Sequence, residues 1–65
     1  MVADTITMAA KALQTEVFAA AVYDYLAERY PNEATRKAFA EAAEMERGHI
    51  VFWSDILEEK RGGRQ

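Results

Sequence analysis

Sixty-five residues make at most one small domain, and a chain this short buries too little of its own surface to be comfortable alone. With no cysteine, disulfides and thiolate metal sites are excluded, so extra stability must come from oxygen and nitrogen metal ligands, from a partner, or from both. A hydrophobic content of 51% excludes disorder, and a net charge of −3 with interspersed signs and no basic stripe excludes nucleic acid as a partner.

In chain order, the first element is a helix over about 5–29, with Asp4 as its expected N-cap and Arg29 in its last turn, where a cation suits the helix dipole. Tyr30-Pro31 interrupts the pattern, because proline cannot continue a helix. Asn32 is placed to cap a second helix over about 32–61, with Glu33 in the first turn and Lys60 and Arg61 in the last. Gly62-Gly63 supply the stop, and Arg64 and Gln65 are expected to fray. No apolar run reaches the roughly 20 residues of a membrane span, and the N-terminus has no signal-peptide pattern. The expectation is a single domain, 1–65, located in the cytoplasm.

A connection this short makes the helices antiparallel neighbours. On helix 1, Ile6, Ala9, Leu13, Glu16, Ala20, Tyr23 and Ala27 advance by three and four; on helix 2, Phe39, Ala42, Glu46, His49, Trp53 and Ile56 do the same. Helix 2 is apolar on both flanks of that stripe, at Ala38, Met45 and Phe52 and at Ala43, Ile50 and Leu57. A stripe that wide faces more than one neighbour. The predicted fold is therefore all-α: an antiparallel two-helix hairpin that dimerises into a four-helix bundle.

Each stripe carries ionisable residues at its centre, where an unpaired charge is costly. Folding the hairpin about position 31 brings Glu16 level with Glu46, and His49 lies one turn further along the same face. Two chains then contribute two Glu16, two Glu46 and two His49. That sum of four carboxylates and two imidazoles is the ligand set of di-iron and di-manganese carboxylate bundles. Four carboxylates balance two divalent ions, and without metal they would repel and take up protons. The competing account is a metal-free helical-hairpin interaction module, in which the same three residues form a buried polar cluster that fixes register.

Tyr23, two turns after Glu16, is either a core aromatic or a hydrogen-bond donor to a ligand carboxylate. Gly48, between the paired ligands, leaves room for a neighbouring backbone, and Trp53 belongs to the core. Phe18, Val22 and Tyr25, with Met8 further along, form a second apolar patch on helix 1, away from the metal seam. They are candidates for contacts between dimers in a higher homo-oligomer.

Glu16, the stretch Tyr23-Asp24-Tyr25-Leu26-Ala27 and the run from Ala42 to His49 resemble the ferritin-like superfamily over about residues 6–60. The closest likeness is to rubrerythrin-type domains and to encapsulated ferritins, two-helix chains whose site forms across a dimer interface. The resemblance implies ferroxidase activity for iron storage or detoxification: two Fe(II) per subunit pair oxidised by dioxygen, with manganese as the alternative metal. It implies Glu46 as the bridging ligand and Glu16 and His49 as terminal ones, all three acting in catalysis. It also implies an encapsulin shell as a partner and a protein nanocompartment as a location. A related family role is the ferritin-like domain of a membrane iron transporter. Rubrerythrins that reduce peroxide draw electrons from a cysteine-bound iron, which this sequence does not supply.

Overall fold

The structure, a computed structural model, describes residues 2–60 and 62, with side chains from Thr5 onward. It contains two α-helices of 28 residues each, α1 over Val2–Arg29 and α2 over Glu33–Lys60, packed against each other as a hairpin. Neither helix is long and apolar enough to cross a membrane.

The turn follows from its residues. Asn32 Oδ1 accepts a 2.9 Å hydrogen bond from the Thr35 amide, the N-cap expected of it, and the Asn32 carbonyl accepts the first helical bond from Arg36. Arg36 then reaches back, donating from Nη1 to the carbonyls of Tyr30 at 2.7 Å and Pro31 at 3.1 Å. One cation thus satisfies carbonyls that the end of α1 leaves free. Two aromatic contacts brace the same end: Tyr23 stacks on Phe39 with centroids 6.1 Å apart, and Tyr30 meets Phe39 edge-on at 5.5 Å.

Both helix starts can be compared with expectation. α1 begins upstream of residue 5, so Asp4 lies inside the helix and is not its N-cap. Nothing in Val2-Ala3-Asp4 breaks a helix, and the turn simply extends. At the other end, Gly62 adopts a left-handed φ of 68° and its amide bonds to the Glu59 carbonyl at 3.1 Å, the stop that glycine permits. The expectations for Arg61, Gly63, Arg64 and Gln65 lie outside the described residues.

The hairpin is a slab, not a globule. Its extents are 46 × 20 × 12 Å and its radius of gyration is 14.7 Å, against about 11 Å for a compact chain of this length. The thin dimension is a single helix diameter. Accordingly, the buried residues among those described are only Ala9, Ala20, Ala43 and Leu57. The α1 stripe falls on the interhelix seam as predicted, every member buried or half-buried. The α2 stripe does not sit quite where it was expected. The row Ala43, Ile50 and Leu57 turns into the seam, and His49 turns out of it. The reason is steric: the small Ala43 lets the helices close on its side, and Ile50 and Leu57, on the same row, follow it into the seam.

What this rotation leaves open is an apolar row on α2, Ala38, Ala42, Met45, His49, Phe52 and Ile56, spaced by three and four. Met45 is 65% exposed and Phe52 56% exposed. Met8 of α1 and Ile56 of α2 line one shallow groove, so the two helices present apolar edges on the same side of the slab.

Gly48 lies on the charged outer face, and a Cβ added there would meet no atom of the chain within 4 Å. Gly48→Ala should therefore stabilise the hairpin by about 1 kcal/mol, the helix-propensity difference, in urea unfolding. Unchanged or lowered stability in that variant would contradict the open surroundings of residue 48.

Candidate metal centre

Glu16 enters the site from the middle of α1, and Glu46 and His49 from facing turns of α2. One ligand atom from each lies within 4.8 Å of the other two, and this is the cluster of metal-ligating side chains among the described residues. His49 Nδ1 donates to Glu46 Oε1 at 3.2 Å and lies 3.6 Å from Glu16 Oε1. The first is a hydrogen bond and the second an ion contact. The two carboxylates are largely covered, with side chains 23% and 19% exposed for Glu16 and Glu46, whereas His49 is 53% exposed. The centre thus lies at the edge of the helix–helix seam, its carboxylates covered and His49 open on the side of the apolar row.

The electrostatics show what the three groups do without metal. Glu16 is raised above the ordinary glutamate range, first by its hydrogen bond with Glu46 and then by burial. Glu46 is held below that range, first by the hydrogen bond from Glu16 and then by contact with His49. His49 is raised by its hydrogen bond to Glu46 and by the charge of Glu16. The arrangement is a proton-filled substitute for a cation: Glu16 keeps its proton longer than usual, Glu46 carries the charge, and His49 holds a positive charge against it.

The pH consequences have opposite signs in the two states. In the metal-free chain, Glu46 contributes stability that is lost as pH falls through its lowered pKa, and His49 contributes stability that is lost as pH rises through its raised pKa. Glu16 likewise favours the acid side. The metal-free protein should therefore melt highest at mildly acidic pH and lose stability as His49 deprotonates above its ordinary value of 6.5. Metal must displace the same protons, so metal affinity rises over that range. Melting curves with and without Mn(II) between about pH 5.5 and 8 should diverge as pH rises, and parallel curves would contradict the assignment.

The other singled-out residues fall apart from this centre. Tyr23 sits in the aromatic cluster with Phe39; among the described interactions it makes no hydrogen bond to Glu16 or Glu46. Trp53 is half-buried, with its ring edge-on to Phe52 at 5.1 Å. Phe18 and Tyr25 are 71% and 58% exposed and Val22 36%, so the helix 1 patch is open along its length. From the sequence, Asp24 and Arg47 are given no role of their own. Arg47 crosses to α1 and donates from Nη1 to both carboxylate oxygens of Asp24, at 3.3 and 3.1 Å. Its Nη2 donates to Glu44 at 2.8 Å. Opposite charges on the facing edges of the hairpin were the available signal.

The donor set is hard: carboxylate oxygens with one imidazole and no sulfur, which suits iron or manganese and disfavours soft metals. A family model for rubrerythrin matches residues 8–65. The chain belongs to the rubrerythrin family. The match covers α1 from residue 8, all of α2 and the three converging residues, and membership of this family points to a ferritin-like protein of the di-iron kind; Glu16, Glu46 and His49 are side chains that could hold a metal ion. Searches among curated proteins and among solved structures found no match.

Proposed function

We propose that the protein is a ferroxidase whose di-iron centre forms between two copies of the chain. The observation that carries this reading is the position of Glu16, Glu46 and His49: they converge, and they converge at an edge whose open side is apolar. A single chain offers two carboxylates and one imidazole, too few donors to hold two iron ions. A second chain seated on the Met45–Phe52 row doubles the set to four carboxylates and two imidazoles, the full complement of a di-iron bundle. It also covers the exposed apolar side chains that the hairpin leaves in water.

In that assembly Fe(II) is the substrate. Two Fe(II) give up two electrons to one dioxygen, which takes up two protons and leaves as hydrogen peroxide. The chain's own contribution is charge and position. Four carboxylates offset the four positive charges of two Fe(II), with Glu46 nearest the centre and placed to bridge. The apolar walls limit water around the reacting ions. Manganese is the competing occupant.

The direct test is iron content and dioxygen consumption together. Anaerobic titration should saturate at two Fe(II) per two chains, and admitting air should consume about one dioxygen per iron pair. Saturation at one iron per chain in a monomer would overturn the intersubunit site. A chain of this size encloses no mineral, so detoxification needs nothing further, whereas storage needs a larger shell around it. The Phe18, Val22 and Tyr25 patch lies outside the face assigned to the partner and serves contacts between dimers. Light scattering with iron present should then give a mass above the dimer.

A further inference from the structure

Three of the four fully buried side chains are alanine, Ala9, Ala20 and Ala43, and the fourth is Leu57. Alanine contacts let helices come close but do little by themselves to stop one helix from turning about its own axis. Rotation matters here, because Glu46 and His49 lie on the edge of the packed face. A modest turn of α2 in one sense would bury His49 against the seam. In the other sense it would swing Glu46 out of reach of Glu16. The aromatic cluster at Tyr23, Tyr30 and Phe39 braces the turn end, but it does not act at the level of the metal ligands.

One contact starts at that level on α2 and reaches α1. Arg47 is the residue after Glu46, and its guanidinium meets both oxygens of Asp24 on the opposite helix. Residues 47 and 49 are two apart, so they leave α2 about 200° from each other. The ion pair therefore holds one side of α2 to α1 while His49 faces the open side. Nη1 alone reaches both Asp24 oxygens while Nη2 is held by Glu44, so the guanidinium is tied to both helices at once. We infer that the Asp24–Arg47 pair is a positioning device for the metal centre: it sets the rotation of α2 and so the placement of Glu46 and His49.

The inference rests on the metal-binding reading of the site. Because the pair is about half exposed, its direct value to folding is small. Its effect should appear in the metal site and not in the melting curve. The experiment is anaerobic Co(II) titration of the whole protein, following the visible ligand-field bands, alongside far-UV melting. Asp24→Asn should weaken Co(II) binding about threefold to tenfold and shift the bands, less than the roughly 10–100-fold cost of losing a group that touches a ligand directly. Asp24→Glu, which keeps the carboxylate, should restore most of the affinity. Glu44→Gln removes the Arg47 partner on its own helix and should change neither readout. Wild-type affinity and bands in Asp24→Asn would overturn the inference while leaving the metal centre standing. An equal loss in Glu44→Gln would also overturn it, since Arg47 would then act within α2 alone. Wild-type protein that binds no Co(II) would remove the metal reading and this inference with it.

Discussion

Replacing Glu46 with alanine should abolish stoichiometric iron binding and reduce Fe(II) oxidation to the rate in buffer, with the helical fold intact. Glu46 is the least exposed of the three converging side chains, hydrogen-bonded to His49 and set against Glu16. Its carboxylate lies between the α1 ligand Glu16 and the α2 ligand His49. By symmetry the substitution removes two of the four carboxylates in a dimer, and with them half the charge that offsets two Fe(II). The loss should exceed about 100-fold, because residues that touch a ligand only indirectly already cost about 10–100-fold. The fold should survive: alanine is the better helix former, and the substitution removes one of two adjoining carboxylates. Circular dichroism of the metal-free variant should match wild type, while oxygen-electrode traces on Fe(II) addition should be flat. Wild-type oxidation by a folded Glu46→Ala protein would remove the di-iron assignment. It would leave the three residues as a polar cluster that sets register.

Much of this centre was legible in the sequence because it rests on two simple periodicities. The proline at 31 fixes the fold point, a fold point fixes which residues are level, and a three–four spacing fixes which share a face. Glu16, Glu46 and His49 satisfy all three constraints, and the structure brings them within 4.8 Å. The Asn32 cap was readable for a local reason, since the side chain bonds only three residues on. The rotation of α2 was harder to read. Its stripe is apolar on both flanks, so periodicity leaves the angle free over a broad arc, and close packing decides it. The small residue Ala43 goes into the seam and Met45 is left outside. For the same reason His49 is half exposed where the stripe placed it in the core. The start of α1 was misplaced because an acidic residue near a chain start suits a cap and a first turn equally. Asp24–Arg47 was missed because no pattern of apolar residues points to it: a cross-helix pair between exposed charges depends on side-chain reach.

Phe52→Glu should convert the protein to a monomeric hairpin that no longer binds iron, although residue 52 offers no ligand. Phe52 is 56% exposed, lies one turn beyond His49 and stands on the row that the slab leaves uncovered. If a second chain covers that row, each Phe52 buries much of its ring, about 1.5–3 kcal/mol of apolar transfer. A twofold dimer contains the residue twice, so the loss is about 3–6 kcal/mol, or roughly 10²–10⁴ in the dimer dissociation constant. Two glutamates added near a carboxylate-rich centre would weaken association further. Helix content should be retained, because the side chain is solvent-facing within the single hairpin. Mass action then couples the two readouts: a site that exists only in the dimer must lose iron when the dimer is lost, and iron must draw wild-type chains together. Sedimentation of wild type at low micromolar concentration should show heavier species when Fe(II) is added, and Phe52→Glu should show none. Native iron stoichiometry in a monomeric Phe52→Glu protein would mean that each hairpin completes its own site. The apolar row would then need a different partner to explain its exposure.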